Sequence, residues 1–527
     1  MWLKVIIGIG IFVGVVTICL ALFAWWEIWK GHENWRRALE EARAAGEPTE
    51  FSQIIPPPAP DDQNFAAIPL FKPLYDYVPK VTGEGIPDDV WHDQAAKDRL
   101  DDLKLPVHSH NASWQTGSST DLRAWQQDLT QAKPGAEKPP QWQQDWLRGL
   151  TPEVRDAAPG ATILNALTAF DPYLEALREA AKRPRSRFPV HYDENFSMAL
   201  PHLQVLQNFS SIVQLRALAE LSLGKTEEAL KDLSLGHNLA EAPREESLLI
   251  SQLVRIGIYE LLMQPLWEGL ARRQWDDTQL ASLDVALQRP DFIRSFQHTM
   301  WNERIGMARV MDDAKAHPSL FIAMFSPFSS RSTTGFLGQL GTRLFVAEWL
   351  DFNKATLFRE EGEAAQTVDP AAHRVFPAKA NLLFDGVKED HDIHPYDPRT
   401  MLVSITLPAF SGVMQCSARV QEHIDLARVA IALERYRLAH GAFPSALAEL
   451  SPVYMAAVPN DVVNGQPLHY SPNSGGGGFT LYSVGWNGSD EGGKQAFEKD
   501  NPSRIDWKNG DWPWPKYPSY TPAAEKR

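Results

Sequence analysis

After Met1-Trp-Leu-Lys4 the chain reads VIIGIGIFVGVVTICLALFAWW, residues 5–26, with no charged side chain. About 22 residues rising about 1.5 Å each cover a hydrocarbon layer of about 30 Å. Only a helix satisfies its own backbone in that layer, so this run dictates a transmembrane helix. The competing reading is a secretory signal peptide, whose apolar core is about 7–15 residues and ends at a small-residue cleavage site. This run ends instead in Trp25, Trp26 and Trp29, which suit a membrane interface. An uncleaved single-pass anchor is therefore expected. Charge leaves its orientation open, because Lys4 opposes Lys30, Arg36, Arg37 and Arg43 across the span.

The 527 residues behind and including this anchor suffice for two or three domains. A formal net charge of −15 argues against a nucleic-acid partner, since phosphate neutralisation needs clustered Lys and Arg. The longest basic run, Lys182-Arg-Pro-Arg-Ser-Arg187, reads as a solvated loop. Cys19 and Cys416 are the two cysteines, and Cys19 lies in the anchor, so neither a disulfide framework nor a Cys-based zinc site is expected.

The fold class expected is mainly α: an N-terminal transmembrane helix, a helical middle domain with a tetratricopeptide-like hairpin, and a C-terminal α+β module. Residues 1–30 form the anchor, and 31–64 a charged helix and Pro-rich spacer, because Pro56-Pro-Pro58 and Pro60 remove backbone donors. Residues 65–190 are Trp- and Pro-rich with short helical pieces at 122–130 and 162–181. Residues 191–385 carry long apolar periodicity at helical spacing, as in Leu203, Leu206, Phe209 and Val213. Within them LSLGKTEEALKDLSLGHNLAEAP resembles the second half of a tetratricopeptide repeat, with Gly224 at the turn, Ala229 and Gly236 at small packing positions and Leu233 at the large one. No second copy recurs at the repeat period, so a single helical hairpin is expected.

Residues 386–400 form a His/Asp-rich loop with Asp390, His391, Asp392, His394 and Asp397. Imidazole and carboxylate together suit zinc, and His391 with His394 would be the ligands of a metal-dependent hydrolase, although the flanking His-Pro-Tyr-Asp-Pro favours a turn. Gly-x-Ser-x-Gly, P-loop and dinucleotide fingerprints do not occur. His108, His110 and His191 have no partner by sequence logic. The 18 tryptophans are scattered as packing residues are, rather than grouped as a sugar platform.

Residues 401–527 form the last module. MLVSITLPAF is apolar but interrupted by Pro408, and reads as the start of a buried helix. Arg419 to Leu438 is amphipathic, with Val420, Ile424, Ala427 and Ile431 on one stripe and Glu422, Asp425 and Glu434 off it. Gly441 suits a left-handed cap, Pro444 stops the helix, and Ser445 can cap a short helix over 446–450. Strands are expected at 466–471 and 478–484.

The order ALERYRLAHGAFP, SALAEL, VPNDVVNGQPLHY, GFTLYSVGWNGSDEGG and RIDW resembles the globular domain of type II secretion major pseudopilins. It is also similar to the C-terminal part of large membrane-anchored proteins of planctomycete and verrucomicrobial type. The resemblance covers about a fifth of the chain, and it implies a long helix on a small antiparallel sheet. It further implies calcium in the loop after Tyr-Ser-Val-Gly, where Asn487, Asp490, Asp500 and Asp506 offer hard oxygens, with Asn487 standing where the family usually has Asp. A pseudopilin carries its leader and membrane helix directly before this domain, whereas the anchor here lies about 400 residues upstream. The resemblance places the bulk of the chain in the periplasm, beyond an inner (cytoplasmic) membrane. A scaffold or interaction role tied to secretion or envelope organisation is expected rather than catalysis, with protein partners that the sequence does not identify.

Overall fold

The computed structural model describes residues 2–78, 90–106, 113–131, 139–192, 198–246, 248–316, 336–386, 397, 399–473 and 477–517. The chain is mainly helical. Helix α1 spans Trp2–Ala44 without a break, so the apolar run and the charged helix are one rod. Its apolar stretch is not buried in the protein, whereas Ala38 and Ala42, farther along, are. Short helices α2 (Gln94–Asp101), α3 (Leu122–Thr130), α4 (Gln141–Arg148), α5 (Pro152–Arg155), α6 (Pro159–Ala166) and α7 (Asp171–Ala180) build the Trp-rich region. Long helices follow: α8 (Pro201–Ser222), α9 (Thr226–Glu241), α10 (Leu249–Ala271), α11 (Asp277–Leu287), α12 (Phe292–Ala316), α13 (Phe336–Ala365), α14 (Pro377–Gly386) and α15 (Met401–His440).

The α8–α9 hairpin forms as the spacing predicts. Gly224 makes the turn at φ 71°, and a Cβ on Gly236 would sit 2.6 Å from Leu262 of α10, so only glycine lets α9 approach that closely. Strands are small and antiparallel: β1 (Tyr77–Val78) with β2 (Val90–Trp91), β3 (Val368–Asp369) with β4 (Arg374–Val375), and a C-terminal group. In that group β5 (His469–Pro472), β6 (Phe479–Ser483) and β9 (Trp512–Pro513) form one sheet, and β7 (Gln495–Phe497) pairs with β8 (Ile505–Gly510). Register in the β5–β6 hairpin sets His469 opposite Tyr482 and Tyr470 opposite Leu481.

Three features bear on the sequence expectations. First, the helix expected to start at Met401 forms, and α15 runs through Pro408 as one helix to the left-handed Gly441 at φ 79°. Pro removes one i→i−4 bond, and packing against neighbours keeps the rest of the helix in line. Second, α15 is buried nearly all round: Glu422, Asp425 and Glu434 are as inaccessible as Val420 and Ile424. Each has a partner, for Val462 N–H donates to Glu422 at 2.9 Å, His373 meets Asp425 at 2.7 Å, and Arg437 donates to Glu434 at 2.6 Å. Third, Ser445 does not cap the next turn, which is a 3-10 helix over Leu447–Leu450. Glu449 reaches back instead, accepting from the backbone N–H of Ser445 and Ala446 and from the Ser445 hydroxyl.

The Pro-rich segment and the basic run also differ from a spacer and a solvated loop, because they bind each other. Arg183 donates to the carbonyls of Asp61 and Asn64, Arg187 to that of Pro56, and the Asn64 side chain accepts from Arg187 N–H while donating to its carbonyl. Guanidinium donors thus add bonds to carbonyls of the Pro-rich segment and tie it to the basic run.

Two large cores share α15. The first gathers residues from Phe65 to Phe292 with Val420–Leu433 and the strand residues Phe479 and Leu481. The second gathers α12–α14 with Leu402–Ala418, Val484, Trp486 and Trp512. A third, small cluster joins Ala38 and Ala42 of α1 to Ile305, Ala308, Ala355 and Phe358. Hydrophobic packing is therefore continuous across residue 400.

Candidate functional site

The C-terminal loop follows β6. Asp490 accepts from the Tyr482 hydroxyl at 3.1 Å and from Gly492 N–H at 2.8 Å, and the Tyr482 ring stacks on His469 with centroids 4.7 Å apart. Asn487 accepts from Ser489 N–H and donates to Glu491. Asp506 accepts from Lys508 N–H and the Asn509 amide, while Asp500 is exposed. Each of these residues serves its own turn. Among the described residues, no group of three or more His, Cys, Asp or Glu side chains is placed to hold a metal ion.

The residue that organises this loop is Asp511, which is buried and accepts from the backbone N–H groups of Glu491, Gly493 and Lys494, at 2.6 Å from Gly493. Sequence reading passed over it, because its partners lie about 20 positions upstream and no local motif marks it. His391 and His394, like Asp390 and Asp392, lie outside the described residues, as do His108 and His110. Asp397 accepts from Arg399 N–H, and His191 packs edge-on against Tyr77.

A different polar site lies where the β3–β4 turn meets α15. Here a cleft of about 410 Å³ is lined by His373, Asp425, Asp291, Arg428, Gln421 and Asn460, among others. Asp369 caps the turn by accepting from Ala371 and Ala372 N–H, and the chain then enters His373 at φ 52°, a left-handed conformation that costs a non-glycine residue on the order of 1–3 kcal/mol. Val375 N–H donates to Val462 O at 2.8 Å, and Arg374 reaches Val463 O, so the turn is fixed from the C-terminal side.

His373 Nε2 lies 2.7 Å from Asp425. Burial pushes its pKa down, but the hydrogen bond and charge of Asp425 outweigh burial, and the imidazole ends above its ordinary value. Arg428 is shared between Asp284 at 2.9 Å and Asp425 at 4.0 Å. Next to them Glu422 is pushed well up, by burial first and then by the charges of Asp461 and Asp425. Its Oε1 has no hydrogen-bond partner. The cleft thus combines an imidazole with a raised pKa, a guanidinium and two carboxylates, and it can donate to or exchange a proton with a small polar ligand. Asp425 and His373 are 52 positions apart, and His373 is a lone histidine in Ala-Ala-His-Arg, so periodicity could not pair them.

A second, apolar groove of about 320 Å³ lies between Phe51, Ile54, Leu200, the start of α10 and Met307 of α12. Glu303 lies in it and accepts from Leu249 N–H at 2.7 Å, and burial raises its pKa. Comparison with protein-family models, curated proteins and solved structures finds no match to this chain.

Proposed function

We propose that this protein is a membrane-anchored scaffold, held at the periplasmic face of an inner membrane, that presents its C-terminal pseudopilin-like module to protein partners of a secretion or envelope-organising assembly. The observation that carries this reading is the continuity of α1. Beyond the apolar run the same helix is bonded to the body: Arg399 reaches Glu27 at 3.4 Å, His32 meets Asp351 at 2.6 Å, Trp35 packs edge-on to Phe358 at 4.7 Å, and Arg359 meets Glu41 at 2.8 Å. A flexible linker would leave distance and orientation free, whereas a docked helix fixes both. α15 starts beside the Arg399–Glu27 contact and spans about 60 Å to its Gly441 cap at about 1.5 Å per residue, a length that can carry parts of the module away from the membrane. The separation of anchor and module in sequence favours a fixed display over stacking into a pilus. Calcium at Asp490 remains part of this proposal, as a ligand of the displayed loop.

The test uses the full chain in membranes. Retention after alkaline carbonate, cleavage by protease added outside the inner membrane, and cross-linking to secretion-apparatus subunits that is lost when residues 487–490 become Gly-Ser would support the scaffold. A folded, membrane-retained protein that cross-links to none of them overturns it.

A second reading rests on His373, since strained residues in polar clefts often carry acid–base work. It replaces the metal-dependent hydrolase around His391 and His394 with a site for a small polar ligand. Titration of the His373 imidazole by NMR against phosphate, carboxylate and amine probes checks it. A shift abolished in Asp425→Asn supports the site, and indifference to all three removes it.

A further inference from the structure

The apolar groove between Phe51, Ile54, Leu200, Leu253 and Met307 holds about 320 Å³, enough for a small organic ligand. Among the described residues that line it, Glu303 of α12 is the only charged one. Its Oε1 accepts from the N–H of Leu249, the first residue of α10, a donor with no partner inside its own helix. Within reach of its charge lies Glu361 of α13, which is fully buried and has no hydrogen-bond partner for either oxygen. Burial first, and then the charge of Glu303, push Glu361 well above the usual carboxylate range. Arg304 acts on Glu361 through its charge alone, because its bonds go to Glu47 at 2.8 Å and to the carbonyls of Phe358 and Pro48. Two carboxyls thus stand at one apolar groove while the guanidinium beside them is committed elsewhere. Ionised, they lack an opposing charge, and a buried charge without one is costly.

A second observation concerns the space itself. Gly306 follows Glu303 by three positions on the same face of α12 and also lines the groove, and nothing lies within 4 Å of where its Cβ would sit. Glycine inside a helix costs up to about 1 kcal/mol relative to alanine, and no neighbour requires it here. What its missing side chain does is keep the groove open one turn from the carboxyl. Arg309 lies over the Phe51 ring, 4.5 Å from its centroid, but does not line the groove, so an anionic head would find its cation outside.

We propose that this groove binds a small organic cation, a primary ammonium on an apolar body, with the ammonium donating to Glu303 and the body lying against Leu253, Gly306 and Met307. The ammonium supplies the charge that the two carboxyls lack, and its pairing with Glu303 is strengthened by the apolar walls. The site is independent of the scaffold reading and of the cleft at His373.

The test uses the full-length protein in detergent with isotope-labelled methionine methyls, the Met307 signal being identified by its loss in Met307→Leu. Phenethylamine is titrated at neutral pH beside hydrocinnamate and phenethyl alcohol, which keep the apolar ring and change the head. A saturable shift of the Met307 methyl is expected with phenethylamine, at lower concentration than with either control. Binding should be about tenfold weaker in Glu303→Gln, which keeps an acceptor for Leu249 N–H, and lost in Gly306→Leu, which fills the groove and leaves the carboxyl in place. No saturable shift with phenethylamine overturns the proposal, as does binding of the alcohol or the acid at least as tightly, or unchanged binding in a folded Glu303→Gln. The comparison of three heads needs only the parent chain, so it decides the matter even where a variant does not fold.

Discussion

Asp511 accepts three backbone N–H groups in a buried position, so its loss orphans donors that water does not reach. Asp511→Ala should cost about 3 kcal/mol, read as a lower urea midpoint, whereas Asp490→Ala in the exposed part of the same loop should cost under about 1 kcal/mol. If calcium binds at Asp490, adding it will raise the midpoint of the parent protein and of Asp511→Ala but not that of Asp490→Ala. His373 predicts a pH dependence. Its folded pKa lies above the ordinary 6.5, so its pairing with Asp425 stabilises fully below about pH 6.5 and is lost as pH rises through the folded value. Thermal midpoints between pH 6 and 9 should fall less steeply in His373→Gln. Glu422 acts with the same sign by another route: burial raises its folded pKa above the ordinary 4.5, so stability is lost as pH rises through that range, and Glu422→Gln should relieve that. None of these three was legible as a functional or stabilising residue. Sequence pattern marks side chains by local period, and these owe their roles to partners tens of residues away.

Local signals carried the elements well. Gly224 and Gly441 adopt the left-handed conformations their positions call for, the strand at 479–483 falls inside its expected range, and the strand at 469–472 passes the expected end by one residue. One miss is instructive: the arginines at 183 and 187, expected in a solvated loop, bond to the backbone of the Pro-rich segment and are half-buried. There tertiary partners overrode a local preference. Close packing between elements makes its own prediction at Gly160 of α6, where a Cβ would fall 2.3 Å from the Ser222 hydroxyl and 2.7 Å from the Ala219 carbonyl of α8. Because that carbonyl is backbone, Gly160→Ala should destabilise by about 1–3 kcal/mol. Gly257→Ala, exposed on α10 with open space around it, should instead stabilise by up to about 1 kcal/mol. Chemical denaturation of the two variants side by side checks both signs.

For the whole molecule, composition and the apolar run foretold a mainly helical chain that begins with a long apolar helix, but the partition at residue 400 does not divide the packing. Val420–Leu433 complete a core begun at Phe65, and Leu402–Ala418 complete one begun at Ile293. Removing residues 401–527 should therefore abolish the cooperative thermal transition of the remaining helices, with loss of near-UV circular dichroism. A truncated protein that melts sharply near the parent temperature would show that the two cores close without α15. The shared helix also has a mechanical meaning. Helix α15 has one foot at the Arg399–Glu27 contact, where the apolar run of α1 ends, and its tip at Gly441, and it stays helical through Pro408 between them. Force applied near Gly441 meets one continuous helix gripped by both large cores, so α15 makes the protein a strut rather than a leash.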